Sequence, residues 1–336
     1  MLFSILTIAA CAVTANAAPT IDDRIQKRAP LPAKKQKPLS AWPSKLFAPY
    51  VDITMFPKFN VADVAATTGS KFYTLAFVTG DKSGNPKWGP GCNFDKGYYN
   101  DVLTSLRSSG GDAIISIGGA SGPELAVVAP NEGELQMKYQ AVINKYDVTR
   151  LDIDIEGAAV ANTKANDRRS KALVGLKAAN PGLIISLTFA ALPTGLTAEG
   201  LAVLQSAKKA GLQVDVVNVM AMDYGPSNAP NGSTAMGHYA IEAAKATYAQ
   251  VQSVGLTATI GVTPMPGQND LADEIFTLEN AAELVQFAQS TPWVSFLSFW
   301  SANRDQYTAG AILGLTTNVT QNKFDYINAF KGFTSV

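Results

Sequence analysis

The chain of 336 residues is 47% hydrophobic and 16% charged, a composition typical of a globular protein with enough apolar residues for a large core. Lysine plus arginine and aspartate plus glutamate number 27 each, so the formal net charge is zero. We expect neither nucleic acid nor a membrane as a partner, because there is no basic excess and no apolar run long enough to span a bilayer.

The first 46 residues predict segments that precede the folded domain. Residues 1–18 are apolar and end in small residues, as in a secretory signal peptide, although the usual basic residues at the start are missing. Residues 19–28 end in a dibasic pair, which favours a propeptide over a chance Lys-Arg pair. Residues 29–46 are rich in proline and lysine and predict an extended lead-in. We therefore expect a secreted, extracellular protein with one folded domain at 47–336.

Within that domain, apolar strand-like runs alternate with amphipathic helix-like runs. The predicted strands are 50–55, 72–78, 113–117, 150–156, 183–188, 214–222, 257–262 and 294–299. The predicted helices are 98–108, 132–145, 165–178, 201–210, 237–253, 281–290 and 321–331. Eight strands, most followed by a helix, predict an α/β fold of the (β/α)8 TIM-barrel type. A doubly wound open sheet is the alternative, but eight regular units favour closure.

The most informative pattern is a row of acids in the fourth predicted strand. Asp152, Asp154 and Glu156 alternate with aliphatic residues, so they share one face of the strand, roughly 6 to 7 Å apart per step. Neighbouring carboxylates repel one another, so one of them should keep a proton near neutral pH. A protonated carboxyl group is what general acid catalysis needs. The alternative is an edge strand with one solvated acidic face.

Other chemically useful side chains stand at the ends of the predicted strands, where TIM barrels carry their active sites. They are Tyr50, Phe77, Met222, Asp223, Tyr224 and Trp300. Aromatic faces stack on pyranose rings, and acids bind hydroxyl groups and cleave glycosidic bonds, so this set suits a sugar. Structural alternatives are that Trp300 and Met222 are core residues and that Asp223 caps a helix.

A metal or an organic cofactor is not expected. The glycines at residues 118, 119 and 122 do not fit a dinucleotide-binding fingerprint. One histidine, His238, and one cysteine outside the predicted signal peptide, Cys92, are too few for a zinc site.

The strand-end motifs resemble those of glycoside hydrolase family 18, the chitinase family, and the chain is similar to its secreted fungal-type members. The family's D-x-D-x-E motif is matched at residues 152–156, its S-x-G-G motif at 116–119 and its M-x-M-D-Y motif at 220–224. The tryptophan of its last strand corresponds to Trp300. The resemblance covers residues 50–330 and implies a single catalytic barrel. A departure is Thr149-Arg150, where the family signature usually has Asp-Gly. The small α+β domain inserted before the last strand in many members is not expected, because the chain is too short there.

The resemblance also implies roles for the acids. Glu156 would protonate the glycosidic oxygen, Asp154 would hold the N–H of the substrate's acetamido group, and Asp152 would tune the proton on Asp154. The acetamido oxygen of the substrate would be the nucleophile, as in the substrate-assisted retaining exception to the two-carboxylate rule. Tyr224 would hydrogen-bond that oxygen, and Asp223 would help to fix the sugar.

The remaining implied roles concern the walls of the site. Trp300 would form the floor of the cleaved subsite, while Tyr50, Phe77 and Met222 would be substrate-binding neighbours. The resemblance implies a cis peptide bond after Trp300 and suggests another before Phe77.

The expected activity is cleavage of β-1,4-linked N-acetylglucosamine in chitin or its oligomers, by a monomer. One alternative is an endo-β-N-acetylglucosaminidase that cleaves the chitobiose core of N-glycans with the same acids. Another is a chitin-binding lectin or effector with little or no catalysis, which the presence of Glu156 disfavours.

Overall fold

The computed structural model describes residues 42–90 and 92–334. The expected signal peptide and propeptide, and residues 29–41 of the expected lead-in, lie outside the described residues. At the described end of the lead-in, the Trp42 ring stacks on the guanidinium of Arg150 and packs against Phe72, and Leu46 already belongs to a strand. No helix in the two described ranges is long and apolar enough to cross a membrane.

Strands and helices alternate along the chain much as predicted. The strands are β1 Leu46–Phe47, β2 Tyr50–Asp52, β3 Phe72–Gly80, β4 Pro86–Lys87, β5 Asp112–Gly118, β6 Arg150–Ile155, β7 Ile184–Leu192, β8 Gly195–Leu196, β9 Val216–Ala221, β10 Thr259–Pro264, β11 Gly267–Gln268, β12 Ile275–Phe276 and β13 Val294–Leu297. The helices are α1 Val61–Thr68, α2 Asn100–Ser108, α3 Leu125–Val128, α4 Glu132–Tyr146, α5 Thr163–Ala179, α6 Ala198–Ala210, α7 Met236–Val254, α8 Leu278–Ser290 and α9 Asp325–Phe330. Each predicted strand and helix has a counterpart here.

The differences have local causes. Helix α1 was not predicted, because its two turns of small residues resemble a loop. The Asn60 side chain caps its start and Gly69 ends it in the left-handed region. The last predicted helix starts later than expected, at Asp325. The carboxylate of Asp305 accepts the N–H groups of Tyr326 and Ile327 in its first turn, at 3.1 and 2.8 Å.

The sheet closes into a barrel, as the eight-strand pattern predicts. In the described part of the chain the strand order is β1-β13-β10-β9-β7-β6-β5-β3-β2, all parallel. The two ends of this order are one stretch of chain, because only Ala48 and Pro49 separate β1 from β2. Ala48 N–H donates to Leu297 in β13 (3.0 Å), while the carbonyl of Pro49 accepts from Thr74 in β3 (2.9 Å). An open doubly wound sheet is therefore excluded.

Strand β6 lies in the wall of this barrel, between β5 and β7. Its aliphatic residues Leu151, Ile153 and Ile155 are at most 1% exposed and belong to the main hydrophobic core. The alternating carboxylates of Asp152 and Asp154 are also buried. The solvated edge strand is thereby ruled out, and the acids point into the barrel because side chains alternate across a strand.

The carboxyl ends of the parallel strands meet at one mouth. Short additions extend it: β4 pairs with the end of β3, and β8 pairs with the end of β7. Between β10 and β13, the described chain adds only the two-stranded ribbon β11–β12 and helix α8. The small inserted domain is thus absent from this described segment, in agreement with the expectation from its length.

Candidate active site

The row of acids starts inside the barrel and ends at its mouth. Asp152 is paired in register with Ser116 on β5 and Ser186 on β7, and Asp154 with Thr188 on β7. Asp152 and Asp154 are 1% and 3% exposed, whereas Glu156 follows the end of β6 and is half-buried. The depth of each carboxylate therefore follows from its position along the strand.

Asp152 is surrounded by hydroxyl donors. Its Oδ2 accepts from Tyr50 (2.8 Å) and Ser116 (2.6 Å), and its Oδ1 accepts from Ser186 and Thr188 (2.6 Å each). Burial raises the pKa of Asp152, and the four hydroxyl groups oppose that rise because they stabilise the anion. These donors come from three different strands, so the carboxylate is bound by the barrel as a whole.

Asp154 has the opposite environment. Its Oδ1 is buried without a hydrogen-bond partner among the described residues. Burial, followed by the nearby charges of Glu156 and Asp152, raises the pKa of Asp154 well above its ordinary value. Burial also raises the pKa of Glu156. The neutral form of Asp154 is thus favoured both by burial and by the neighbouring charges, and burial also favours the neutral form of Glu156 at the mouth.

A second layer of polar side chains supports this row. The amide of Asn218, on β9, donates to Thr188 (3.1 Å) and Tyr50 (3.4 Å) and accepts from Thr263 on β10 (2.9 Å). None of the motifs in the sequence predicted a role for Ser186, Thr188, Asn218 or Thr263. The signal was present in part, since Ser186 and Thr188 alternate with aliphatic residues in the same way as the acids.

Above the acids, the mouth contains a cavity of about 340 Å³. Seven of the predicted site residues line it: Tyr50, Phe77, Asp154, Glu156, Met222, Asp223 and Trp300. Met220, Thr197, Met265 and Asp270 also line it, and of these four only Met220 belongs to one of the strand-end motifs. Met265 and Asp270 lie on the segment between β10 and β12, whose direction over the mouth is not encoded in a strand pattern.

Three aromatic rings form one wall of the cavity. Phe77 and Trp300 are stacked, with centroids 5.3 Å apart and planes at 24°, and Tyr50 meets the edge of Trp300 at 6.0 Å. Trp300 is half-buried, so it is not a core residue. The peptide bonds Ala76–Phe77 and Trp300–Ser301 are both cis, which confirms that part of the expectation. An apolar platform beside carboxylates is suited to the face of a sugar ring.

Tyr224 is not among the residues that line the cavity. Its hydroxyl group is buried without a partner in the described chain, and its ring packs edge-on against Tyr239 of α7. It follows Asp223, which adopts a left-handed conformation with φ of 53° just beyond the end of β9 at Ala221. The expected hydrogen bond from Tyr224 to a substrate carbonyl stays a prediction, for which the unpartnered hydroxyl group is available.

Asp223 does face the cavity and is not a helix cap, since α7 begins only at Met236. Its Oδ1 accepts the N–H of Leu271 at 2.9 Å. Partial burial is the main cause that raises the pKa of Asp223.

The chain is similar to known proteins over most of the described barrel, although no protein-family model matches it. It is 33% identical over 285 residues to a probable bifunctional chitinase/lysozyme of Escherichia coli, covering 80% of this chain and 32% of that protein. It is 33% identical over 283 residues to endochitinase 11 of Metarhizium anisopliae, covering 80% of this chain and 54% of that protein. This chain thus spans about a third and about half of the length of these two relatives.

One solved structure is similar to this chain over nearly the whole length of the solved domain. The catalytic domain of a hyperthermophilic chitinase from Pyrococcus furiosus is 31% identical, with a TM-score of 0.78, covering 88% of this chain and 96% of that domain. A catalytic-site mutant of an active domain of chitinase from the same organism has been solved with chito-oligosaccharides, at 30% identity, a TM-score of 0.78 and the same coverage.

Proposed function

Because this chain belongs to the family 18 chitinases, we propose that it hydrolyses β-1,4-linked N-acetylglucosamine in chitin or its oligomers. The observation that carries the proposal is the graded acid row at the cavity. Asp152 is held by four hydroxyl donors, Oδ1 of Asp154 is buried without a donor among the described residues, and Glu156 stands at the mouth. Such a row can donate a proton from Glu156 to a substrate at the mouth while a negative charge stays inside the barrel, on Asp152 in the resting enzyme.

The reaction begins with proton transfer from Glu156. Its proton passes to the glycosidic oxygen while the bond from that oxygen to C1 breaks and the sugar's own acetamido oxygen forms a bond to C1. As positive charge develops on the sugar, Asp154 passes its proton inward to Asp152. The Asp154 anion then accepts a hydrogen bond from the acetamido N–H and stabilises the oxazolinium ion that results, and the proton returns to Asp154 when that ion is hydrolysed. Water then attacks C1 and gives a proton to Glu156. The oxazolinium ring opens, and the sugar is released with retained configuration at C1.

Asp152 is not available to attack the substrate. It does not line the cavity, and its two oxygens are occupied by four short hydrogen bonds. Its contribution is electrostatic: an anion fixed behind Asp154 opposes ionisation of Asp154 in the resting enzyme. The aromatic wall of Phe77 and Trp300 would then hold the sugar ring over the acids.

We also propose that the protein is exported and acts as a monomer. The support for export is the apolar run at residues 1–18 and the dibasic pair that ends residues 19–28, both outside the described residues. Amino-terminal sequencing of protein collected from the medium should start after residue 18 or after residue 28. A start at Met1 in an exclusively intracellular fraction would contradict export, and size-exclusion chromatography tests the monomer.

One assay separates the proposed activity from the two alternatives. The purified chain is incubated with a fluorogenic N-acetylglucosamine oligomer and, separately, with an N-glycosylated protein, with Glu156→Gln as the matched inactive control. We expect release of fluorophore by the wild type and none above background by the variant. Release of glycan from the glycoprotein alone would identify an N-glycan endoglycosidase. Binding of the oligomer without turnover would identify a lectin.

A further inference from the structure

Two loops at the mouth carry acids that line the cavity. The loop after β9, residues 222–225, carries Asp223, and the segment between β10 and β12 carries Asp270. Neither acid lies on a strand of the barrel, so the regular sheet does not fix its position. Something else must hold the two loops in place relative to each other.

Glu274 provides that connection. This residue is 2% exposed, and its Oε1 and Oε2 accept the backbone N–H groups of Gly225 (2.7 Å) and Tyr224 (3.1 Å). In the opposite direction, Asp223 Oδ1 accepts the N–H of Leu271 at 2.9 Å. The two loops are therefore joined by reciprocal carboxylate-to-backbone bonds, which we call the loop clasp: Asp223, Tyr224 and Gly225 on one side and Leu271 and Glu274 on the other.

A buried carboxylate of this kind is costly for folding. Among the described residues, no basic nitrogen lies within ion-pair distance of Glu274. Two backbone donors only partly replace the water that the carboxylate loses on burial. The backbone that Glu274 holds is itself unfavourable, since Asp223 has a φ of 53°, a region that residues other than glycine seldom adopt.

We propose that Glu274 is a positioning residue, whose carboxylate holds the loop at residues 222–225 in the conformation that directs Asp223 into the cavity. The inference rests on the proposed function, in that Asp223 is taken to contact the sugar. Glu274 does not line the cavity and acts only through the backbone that it binds. It has no counterpart in the motifs at the strand ends.

The test is a double-mutant cycle with Glu274→Gln and Asp223→Ala. The amide is isosteric with the carboxylate, but its NH₂ group faces a backbone N–H, so one clasp bond is replaced by a contact between two donors. We expect kcat on the fluorogenic oligomer to fall roughly 10- to 100-fold in Glu274→Gln, the scale of a small misplacement of a reacting group, with KM changing less. In the Asp223→Ala background, Glu274→Gln should have little further effect, because the residue that it positions is absent.

The control is Asp112→Asn. Asp112 is also a buried carboxylate (5% exposed) that accepts a backbone N–H, that of Ala113, although unlike Glu274 it is paired with an arginine, Arg107 (2.8 Å). It lies at the opposite end of the barrel, at the start of β5. This variant should lower the unfolding temperature and leave kcat unchanged. The proposal is overturned if Glu274→Gln behaves in the same way, or if the losses from Glu274→Gln and Asp223→Ala simply add.

Two further arms keep the result decisive. If Glu274→Gln does not fold, the cycle is run with Glu274→Asp, which keeps the charge but shortens the side chain and must show the same coupling to Asp223. If the wild type does not hydrolyse the oligomer, the proposed function fails, and the clasp is judged by calorimetric binding of chitopentaose in the same four proteins. Equal binding by wild type and Glu274→Gln in that arm would then overturn the clasp as well.

Discussion

Asp154 lies two residues beyond Asp152 on β6, yet Asp152 receives four hydroxyl hydrogen bonds while Oδ1 of Asp154 has no partner among the described residues. The two carboxylates face the same interior and are both almost fully buried. Their difference is therefore one of hydrogen bonding rather than of depth. The hydrogen bonds favour the charged form of Asp152, whereas Asp154 lacks them and its neutral form is favoured, although the sequence presents the two residues as equivalent.

The hydroxyl donors of Asp152 should set the acid side of the pH profile. Thr188→Val removes one donor with little change in volume, which raises the pKa of Asp152 because the anion loses a hydrogen bond. A hydrogen bond to a charged group is worth about 1.5 to 3 kcal/mol, so the loss of one of the four should be visible in the titration. The acidic limb of kcat/KM should therefore move to higher pH.

The control for that measurement is Thr74→Val. Thr74 is also a fully buried strand threonine, but it donates to the carbonyl of Ala48 (3.1 Å) rather than to an acid. Its pH profile should match that of the wild type. If the acidic limbs of Thr188→Val and the wild type superimpose, the hydroxyl donors of Asp152 do not set the pKa that limits activity at low pH.

Glu156→Gln should bind oligosaccharide but lose nearly all turnover. The amide has the same shape and cannot donate the proton that the leaving group needs, and general acid catalysis contributes typically ~10² to 10⁴-fold. Steady-state kinetics and equilibrium binding on the same preparation check both halves of the statement. Glu199→Gln, at an exposed site in the first turn of α6, serves as the control. Turnover by Glu156→Gln within about tenfold of wild type would remove Glu156 from the role of acid.

Asp154→Asn should reduce kcat far more than KM. The acetamido group would lose the anion that orients it and stabilises the oxazolinium ion, an interaction made mainly in the transition state. Initial rates over a range of oligomer concentrations give the two constants separately. A change confined to KM would mean that Asp154 only binds the substrate.

Asp154→Asn should also make the folded protein more stable than the wild type, by a margin that grows as the pH rises. The pKa of Asp154 is raised well above its unfolded value by burial, so the native state binds more protons than the unfolded state. Stability is then lost as the pH rises from about 4 through the native pKa. The amide introduced by Asp154→Asn cannot ionise, so the variant's advantage in free energy of unfolding should grow as the pH rises through that window. Denaturant unfolding at several pH values measures this, and parallel curves for the two proteins would contradict it.

The first product released should have the β configuration. Attack by the acetamido oxygen and then by water inverts C1 twice, and a thiazoline analogue of the intermediate should therefore inhibit. Proton NMR of a freshly started reaction distinguishes the anomers before mutarotation mixes them. An α product would exclude the substrate-assisted route, and an oligomer lacking the N-acetyl groups should not be cleaved.

Much of the molecule is readable from local pattern. The alternation of acids and aliphatic residues in 150–156 identified a strand with one polar face, and the spacing of eight such runs identified the barrel. Seven of the predicted site residues line one cavity for the same reason: parallel strands bring their carboxyl ends together, so residues at strand ends meet whatever their separation in the chain.

Other features depended on geometry that no local pattern carries. The four donors to Asp152 come from β2, β5 and β7, and their convergence depends on the register between strands. Tyr224 belongs to the same motif as Asp223, yet only Asp223 lines the cavity, a difference that the motif does not carry. Glu274 lies 49 residues from Gly225, and only the folding of the segment after β10 over the mouth brings the two together. The alternation of residues along a strand decides which face of the sheet each side chain lies on. Tertiary structure decides which loops and which hydroxyl groups come into contact with that side chain.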